Sequence, residues 1–268
     1  DADVIALHEA VGGASDSEAA ASATAIVNRV KKLLGSATSQ LGIVVDLDLR
    51  PEGKNGPMSR TIASHEEYAQ RWASTWERQA AVRARPIGSS DLDERARALF
   101  ESMAYREVSE SEVRDIRLLK ARMENERLPR GSEPARHVKL GPGGLSDVEW
   151  TIQLIQMRHG ARLPALRTPS TTQAIAVARD AGLLAAPDAE ILLNAWDLAT
   201  RIRAGNTLAT GRMSGVKLDV VPRDSAELSA LAAILGYGSG GLTALEEDWL
   251  RAARQARNVM ERAFWEQQ

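Results

Sequence analysis

Between residues 41 and 50 (LGIVVDLDLR) two sets of side chains alternate. Ile43, Val45, Leu47 and Leu49 fall on one face, and Val44, Asp46, Asp48 and Arg50 on the other. A period of two predicts a strand. Residues 3–7 (DVIAL) predict another short strand, and 16–34 an alanine-rich helix stopping at Gly35. PEGKNGP, residues 51–57, is turn chemistry, and MSRTIA, residues 58–63, is strand-like again. Ser64 and Glu67 have the spacing of a capping box for a helix running to about Arg85. Along that helix Tyr68, Trp72 and Trp76 recur at i, i+4 and i+8, the stripe of a core-facing side. After PIGSSD the period is helical throughout, over about 91–104, 110–128, 145–160, 171–183, 188–207, 224–236 and 242–266. The expected fold class is therefore α+β, with an α/β part over 1–88 and an all-helical bundle over 89–268. No internal repeat or low-complexity tract interrupts it.

Charge changes this picture little. The 34 Lys and Arg against 36 Asp and Glu leave a net of −2, which gives no global attraction to nucleic acid or to a membrane surface. There is no cysteine, which excludes disulfides and thiolate chemistry and fits a reducing cytoplasm. No apolar run reaches the length of a membrane span, and the opening residues do not resemble a signal peptide. The abrupt opening on DADVIAL is that expected of a chain cut within a strand.

Two stretches carry candidate chemistry. Asp1 and Asp3, and again Asp46 and Asp48, are one residue apart on strands, so each pair shares a face. Two carboxylates on one strand with a third from its neighbour can hold Mg²⁺ against the phosphates of a nucleotide. A frayed terminus and a half-exposed strand would account for the same acids. In KLGPGGLSDVEW, residues 139–150, Ser146 and Glu149 suggest a capping box directly after Gly143 and Gly144. A glycine turn feeding a helix N-terminus, with Lys139 upstream, suits phosphate; a plain capped helix would also account for Asp147 and Glu149. Arg83 could reach phosphates too. The basic run Arg114, Arg117, Lys120 and Arg122 is expected to be a solvated helix face, and His8, His65, His137 and His159 lack metal-ligand spacing.

Taken together, DADVIALHE, the run from VVDLDLRPEGKNGPMSRTIASHEEYAQ to TWERQAAVRARP, VRDIRLLKARMENERLPRG, KLGPGGLSDVEWTIQLIQMRHG and LRTPSTTQAIAVARDAGLL resemble the glutamate–ammonia-ligase adenylyltransferases, in their actinobacterial form. The likeness runs through nearly the whole chain. It implies a nucleotidyltransferase-type mixed sheet, here without its first elements, followed by the helical bundle. It implies catalytic metal ligands Asp1, Asp3 and Asp46, and excludes Asp48, which stands where the family varies. It places the Gly-Ser turn of the family's motif, and a helix before it, ahead of Asp1. The implied reaction transfers AMP from ATP, with Mg²⁺, to a tyrosine of glutamine synthetase. The implied binding residues are Lys139, Gly143, Gly144 and Arg83. Partners would be glutamine synthetase and a PII-type signal protein, not nucleic acid or membrane, in the cytoplasm. Family members carry an attaching and a removing half. TWERQAAVRAR, with Gln79 where the removing half has tyrosine, resembles the attaching one, and VMERAFWEQQ resembles a natural C-terminus. The alternatives are the phosphorolytic removing half and a non-catalytic module that binds the synthetase or the signal protein.

Overall fold

The structure, a computed structural model, describes residues 2–35, 42–88, 90–212, 215–238 and 241–266. The chain divides into two compact units, 1–106 and 107–268.

The first unit contains β1 (Ala2–Asp3), β2 (Ala6–His8), α1 (Asp16–Gly35), β3 (Val45–Asp46), β4 (Ser59–Thr61), α2 (Ile62–Arg71), α3 (Thr75–Ala81) and α4 (Ser90–Ala104). β1 pairs with β3 and β2 with β4, both in parallel. A mixed sheet was expected, but each pair is joined through α1, the crossover that parallel pairing requires. His8 Nδ1 and Ser59 Oγ, 2.8 Å apart, add a side-chain tie between β2 and β4. The strand expected over 41–50 shrinks to Val45–Asp46: Val45 and Leu47 are buried as the alternation requires, whereas Ile43 is exposed and the chain turns from Asp48.

The single helix expected up to about Arg85 is two helices. Thr61 caps α2 by accepting from the Ser64 amide, so Ser64 is not the cap. Ser74 and Glu77 form the capping box that starts α3. The break falls at Trp72–Ser74, which turns the expected core stripe outward: Trp72 is 73% and Trp76 42% exposed. The core uses Ile62, Val82, Leu99, Phe100 and Met103 instead. α4 belongs to this unit rather than to the bundle, because buried Arg78 of α3 donates to the carbonyls of Met103 and Arg106, and Phe100 packs edge-on against His65.

The second unit is a bundle of α5 (Glu110–Glu126), α6 (Leu145–His159), α7 (Thr171–Asp180), α8 (Ala186–Thr210), α9 (Ser225–Ile234) and α10 (Gly241–Met260), with a π-helical turn over Glu261–Trp265. The seven helical stretches read from the period beyond residue 90 correspond to α4 through α10. α5 begins at a Ser109–Glu112 capping box, and Asp224 caps α9. Ile152, Leu192, Ile202, Leu231, Leu245, Trp249 and Val259 share one buried cluster, each large side chain contributing about 1.5–3 kcal/mol by leaving water. No helix among the described residues is long and apolar enough to cross a membrane.

Candidate functional site

Asp3 ends β1 and Asp46 ends β3, and the two are register partners on the parallel ladder. Backbone bonds fix this register on both sides: the Ala2 amide donates to Val44 at 2.8 Å and the Val4 amide to Asp46 at 2.8 Å. Partners on adjacent strands present their side chains to one face, with backbones about 4.8 Å apart. Asp3 is exposed and Asp46 half-buried. Among the described residues neither carboxylate has a cationic partner. Asp48 differs: it is exposed and lies 3.4 Å from Lys54 and 3.9 Å from Arg50. Two uncompensated carboxylates side by side repel each other unless a cation lies between them. Their all-oxygen donor set is the kind a hard divalent ion takes. Asp1, the third expected ligand, lies outside the described residues. Among the described residues no group of three or more His, Asp or Glu is close enough to hold a metal.

Asp46 is held from one side. Its Oδ1 accepts the amide N–H of Asp48 at 2.7 Å. The following turn is compact, with Arg50 donating to the Leu47 carbonyl at 2.7 Å and to the Gly56 carbonyl at 3.2 Å. Glu52 adopts a left-handed conformation, φ 63°, and is tied by Arg60 at 2.8 Å. A Cβ on Gly56 would overlap the Pro51 carbonyl oxygen, so this turn needs glycine there.

The other expected binding residues are not gathered with these acids in one unit. Arg83 is exposed in the first unit, in the turn after α3, so it does not continue a helical stripe with Trp76 and Gln79. Gln79 is itself buried. Lys139, Gly143 and Gly144 belong to the second unit. Lys139 is exposed, but the glycine turn is closed on itself. The amide of Gly143 donates to Asp147 Oδ2 at 2.7 Å, and those of Gly144, Leu145, Ser146 and Asp147 donate to backbone carbonyls. With those amides engaged within the chain, the turn does not offer them to phosphate. The Ser146–Glu149 box is not formed either: the helix starts at Leu145 with Gly144 as its N-cap.

What the turn builds instead is a buried charge network that sequence reading missed. Lys120 and Asp147, each side chain 1% exposed, meet at 2.6 Å. Lys120 also donates to Ser146 Oγ at 3.3 Å and lies 3.3 Å from Glu124. Arg257 of α10 pairs with Glu124 at 2.7 Å and with Asp147 at 3.1 Å. Those carboxylates and Glu261 hold the Arg257 guanidinium firmly charged against the cost of its burial. Lys120 is thus no part of a solvated face. Its i, i+4 partner Glu124 was the signal available in the sequence.

Comparison with known proteins agrees with both units. The profile of the glutamate–ammonia ligase adenylyltransferase family matches residues 1–101, and that of the GlnD PII-uridylyltransferase family matches residues 117–264. The chain is 45% identical over 268 residues to a bifunctional glutamine synthetase adenylyltransferase/adenylyl-removing enzyme of Streptomyces coelicolor, covering 99% of this chain and 26% of that protein. Identity to the Streptomyces avermitilis protein of the same name is 46%, with the same coverage. For the Mycolicibacterium smegmatis protein of that name it is 40% over 267 residues, 98% of this chain and 26% of the relative. The chain is similar to the glutamate–ammonia ligase adenylyltransferases over nearly its whole length. It spans about a quarter (26%) of the length of these curated relatives.

Proposed function

We propose that this chain is the adenylylating module of a glutamine synthetase adenylyltransferase, transferring AMP from ATP to a tyrosine hydroxyl of the synthetase and releasing pyrophosphate. The observation that carries the proposal is the in-register pair Asp3 and Asp46, on one face and, among the described residues, without cationic partners. Asp1, Asp3 and Asp46 are assigned as the catalytic Mg²⁺ ligands of a nucleotidyltransferase-type domain. Mg²⁺ bound there supplies neutralisation of the triphosphate and of the pyrophosphate that leaves. Asp46 also takes the proton of the attacking tyrosine. Arg83 is assigned to the phosphates; in the second unit Gly143 and Gly144 are assigned to shaping the turn beside Lys139. The direction of the reaction follows the resemblance of TWERQAAVRAR to attaching halves. The likeness of residues 117–264 to the PII-uridylyltransferase family favours a PII-type signal protein as regulator. The setting is cytoplasmic, where ATP and the synthetase meet.

The test uses a full-length enzyme containing this segment, with ATP, Mg²⁺ and glutamine synthetase. Mass spectrometry of the synthetase should reveal an AMP adduct. Asp46→Asn should lower the rate at least about 100-fold, and Asp48→Asn by less than about threefold, since a lost metal ligand removes transition-state charge stabilisation of several kcal/mol. Equal losses in both variants would remove the assignment. ADP release from adenylylated synthetase and phosphate, without transfer from ATP, would reverse the direction.

A further inference from the structure

We infer that Arg50 is a positioning residue that sets the orientation of the Asp46 carboxylate. The inference rests on the reading of Asp3 and Asp46 as the metal pair. The Leu47–Asp48 peptide is gripped at both ends. Its N–H, on Asp48, donates to Asp46 Oδ1 at 2.7 Å. Its C=O, on Leu47, accepts from the Arg50 guanidinium at 2.7 Å and from the Arg50 amide at 3.1 Å. The peptide is planar, so fixing the direction of the carbonyl fixes that of the N–H opposite. A charge-assisted bond at the carbonyl also polarises the amide and strengthens its donation to the carboxylate. Asp46 is thereby locked through Oδ1, with Oδ2 free of that bond.

Arg50 is itself immobilised. Its side chain is only 11% exposed, and its Nε reaches the Gly56 carbonyl at 3.2 Å. One planar fork therefore holds both the start and the end of the turn that follows the ligand. Lysine offers its three donors from a single point and has no planar fork to hold both carbonyls in this geometry. The contact of Arg50 with Asp48 is long, 3.9 Å, and Asp48 is exposed, so the charge pair is secondary to the carbonyl bonds.

Mn²⁺ is the probe, titrated into the 268-residue chain and followed by electron paramagnetic resonance, with thermal melting of the metal-free variants alongside. The wild type should bind Mn²⁺ and Asp46→Asn should lose it. Arg50→Gln should weaken binding about 10-fold or more, the range for groups that orient metal ligands. Arg50→Lys should fall between them with a melting temperature near wild type, and Asp48→Asn should change affinity by less than about twofold, since it leaves the amide in place. If Arg50→Lys melts normally and binds Mn²⁺ like wild type while Asp46→Asn does not, the inference fails and Arg50 is only a turn staple. If wild type and Asp46→Asn bind alike, the metal reading fails and takes this inference with it.

Discussion

His65, near the start of α2, is 2% exposed, flanked edge-on by Tyr68 and Phe100, with its Nδ1 lacking a partner. Burial, reinforced by the Arg60 charge, pushes its pKa from 6.5 down to about 4. The unfolded chain therefore takes up a proton at this histidine near pH 6.5 that the folded chain refuses. Above that pH the group is neutral in both states and costs nothing. As pH falls from 6.5 to about 4 the first unit loses stability, by up to roughly 3 kcal/mol. His65→Phe should flatten the fall in melting temperature across that window relative to wild type; an unchanged slope would mean that the ring is hydrated in solution. At this scale the sequence spoke unevenly. The placement of Asp3 and Asp46 on strands was legible because each borders an apolar run. Lys120 was not, because its partners Asp147 and Arg257 lie 27 and 137 positions further along, and a lysine within a basic run looks solvated until they are known. The exposure of Trp72 and Trp76 was hidden for the opposite reason: their spacing continues evenly across a point where the helix does not.

Elements were the most readable level, and the exceptions have local causes. α5 through α10 follow from apolar period and caps, since each helix must bury one stripe against its neighbours. The break between α2 and α3 was written in Ser74 and Glu77, a capping box inside a stretch with unbroken helical spacing. At the N-terminus of α6 two readings of one motif competed. A glycine turn before a helix can offer amides to phosphate, or it can let two backbones approach. Gly143 does the latter: φ is +74°, and a Cβ there would overlap the Ala253 carbonyl of α10. Gly143→Ala should therefore destabilise the second unit by about 2–4 kcal/mol, combining left-handed strain with a backbone clash, and should expose the Lys120–Asp147 pair to rearrangement. Chemical denaturation of 107–268 would measure it. Stability equal to wild type, with weakened ATP binding in the whole enzyme, would restore the phosphate reading.

At the scale of the whole molecule, the boundary is where pattern reading and packing part. The turn-forming PIGSSD after α3 suggests a division near residue 88, but a compact unit ends where contacts cease, and α4 still packs on α2 and α3, which puts the division at 106/107. The two family profiles fall on either side of the same place, ending at 101 and beginning at 117. The units are also unequal. The large buried cluster draws every member from residues 138–259, all within the second unit. In the first unit α1 has no buried residue, and its Ile26, Val30 and Leu33 are exposed. Stability scales with apolar surface removed from water, so the second unit should fold without the first. A fragment beginning at Glu107 should keep the helical circular dichroism expected of α5–α10 and melt cooperatively, within a few degrees of the upper transition of the whole chain. Residues 1–106 should give a broader, lower transition. A single transition in the whole chain, with an unfolded 107–268 fragment, would show that the bundle depends on the first unit for its stability.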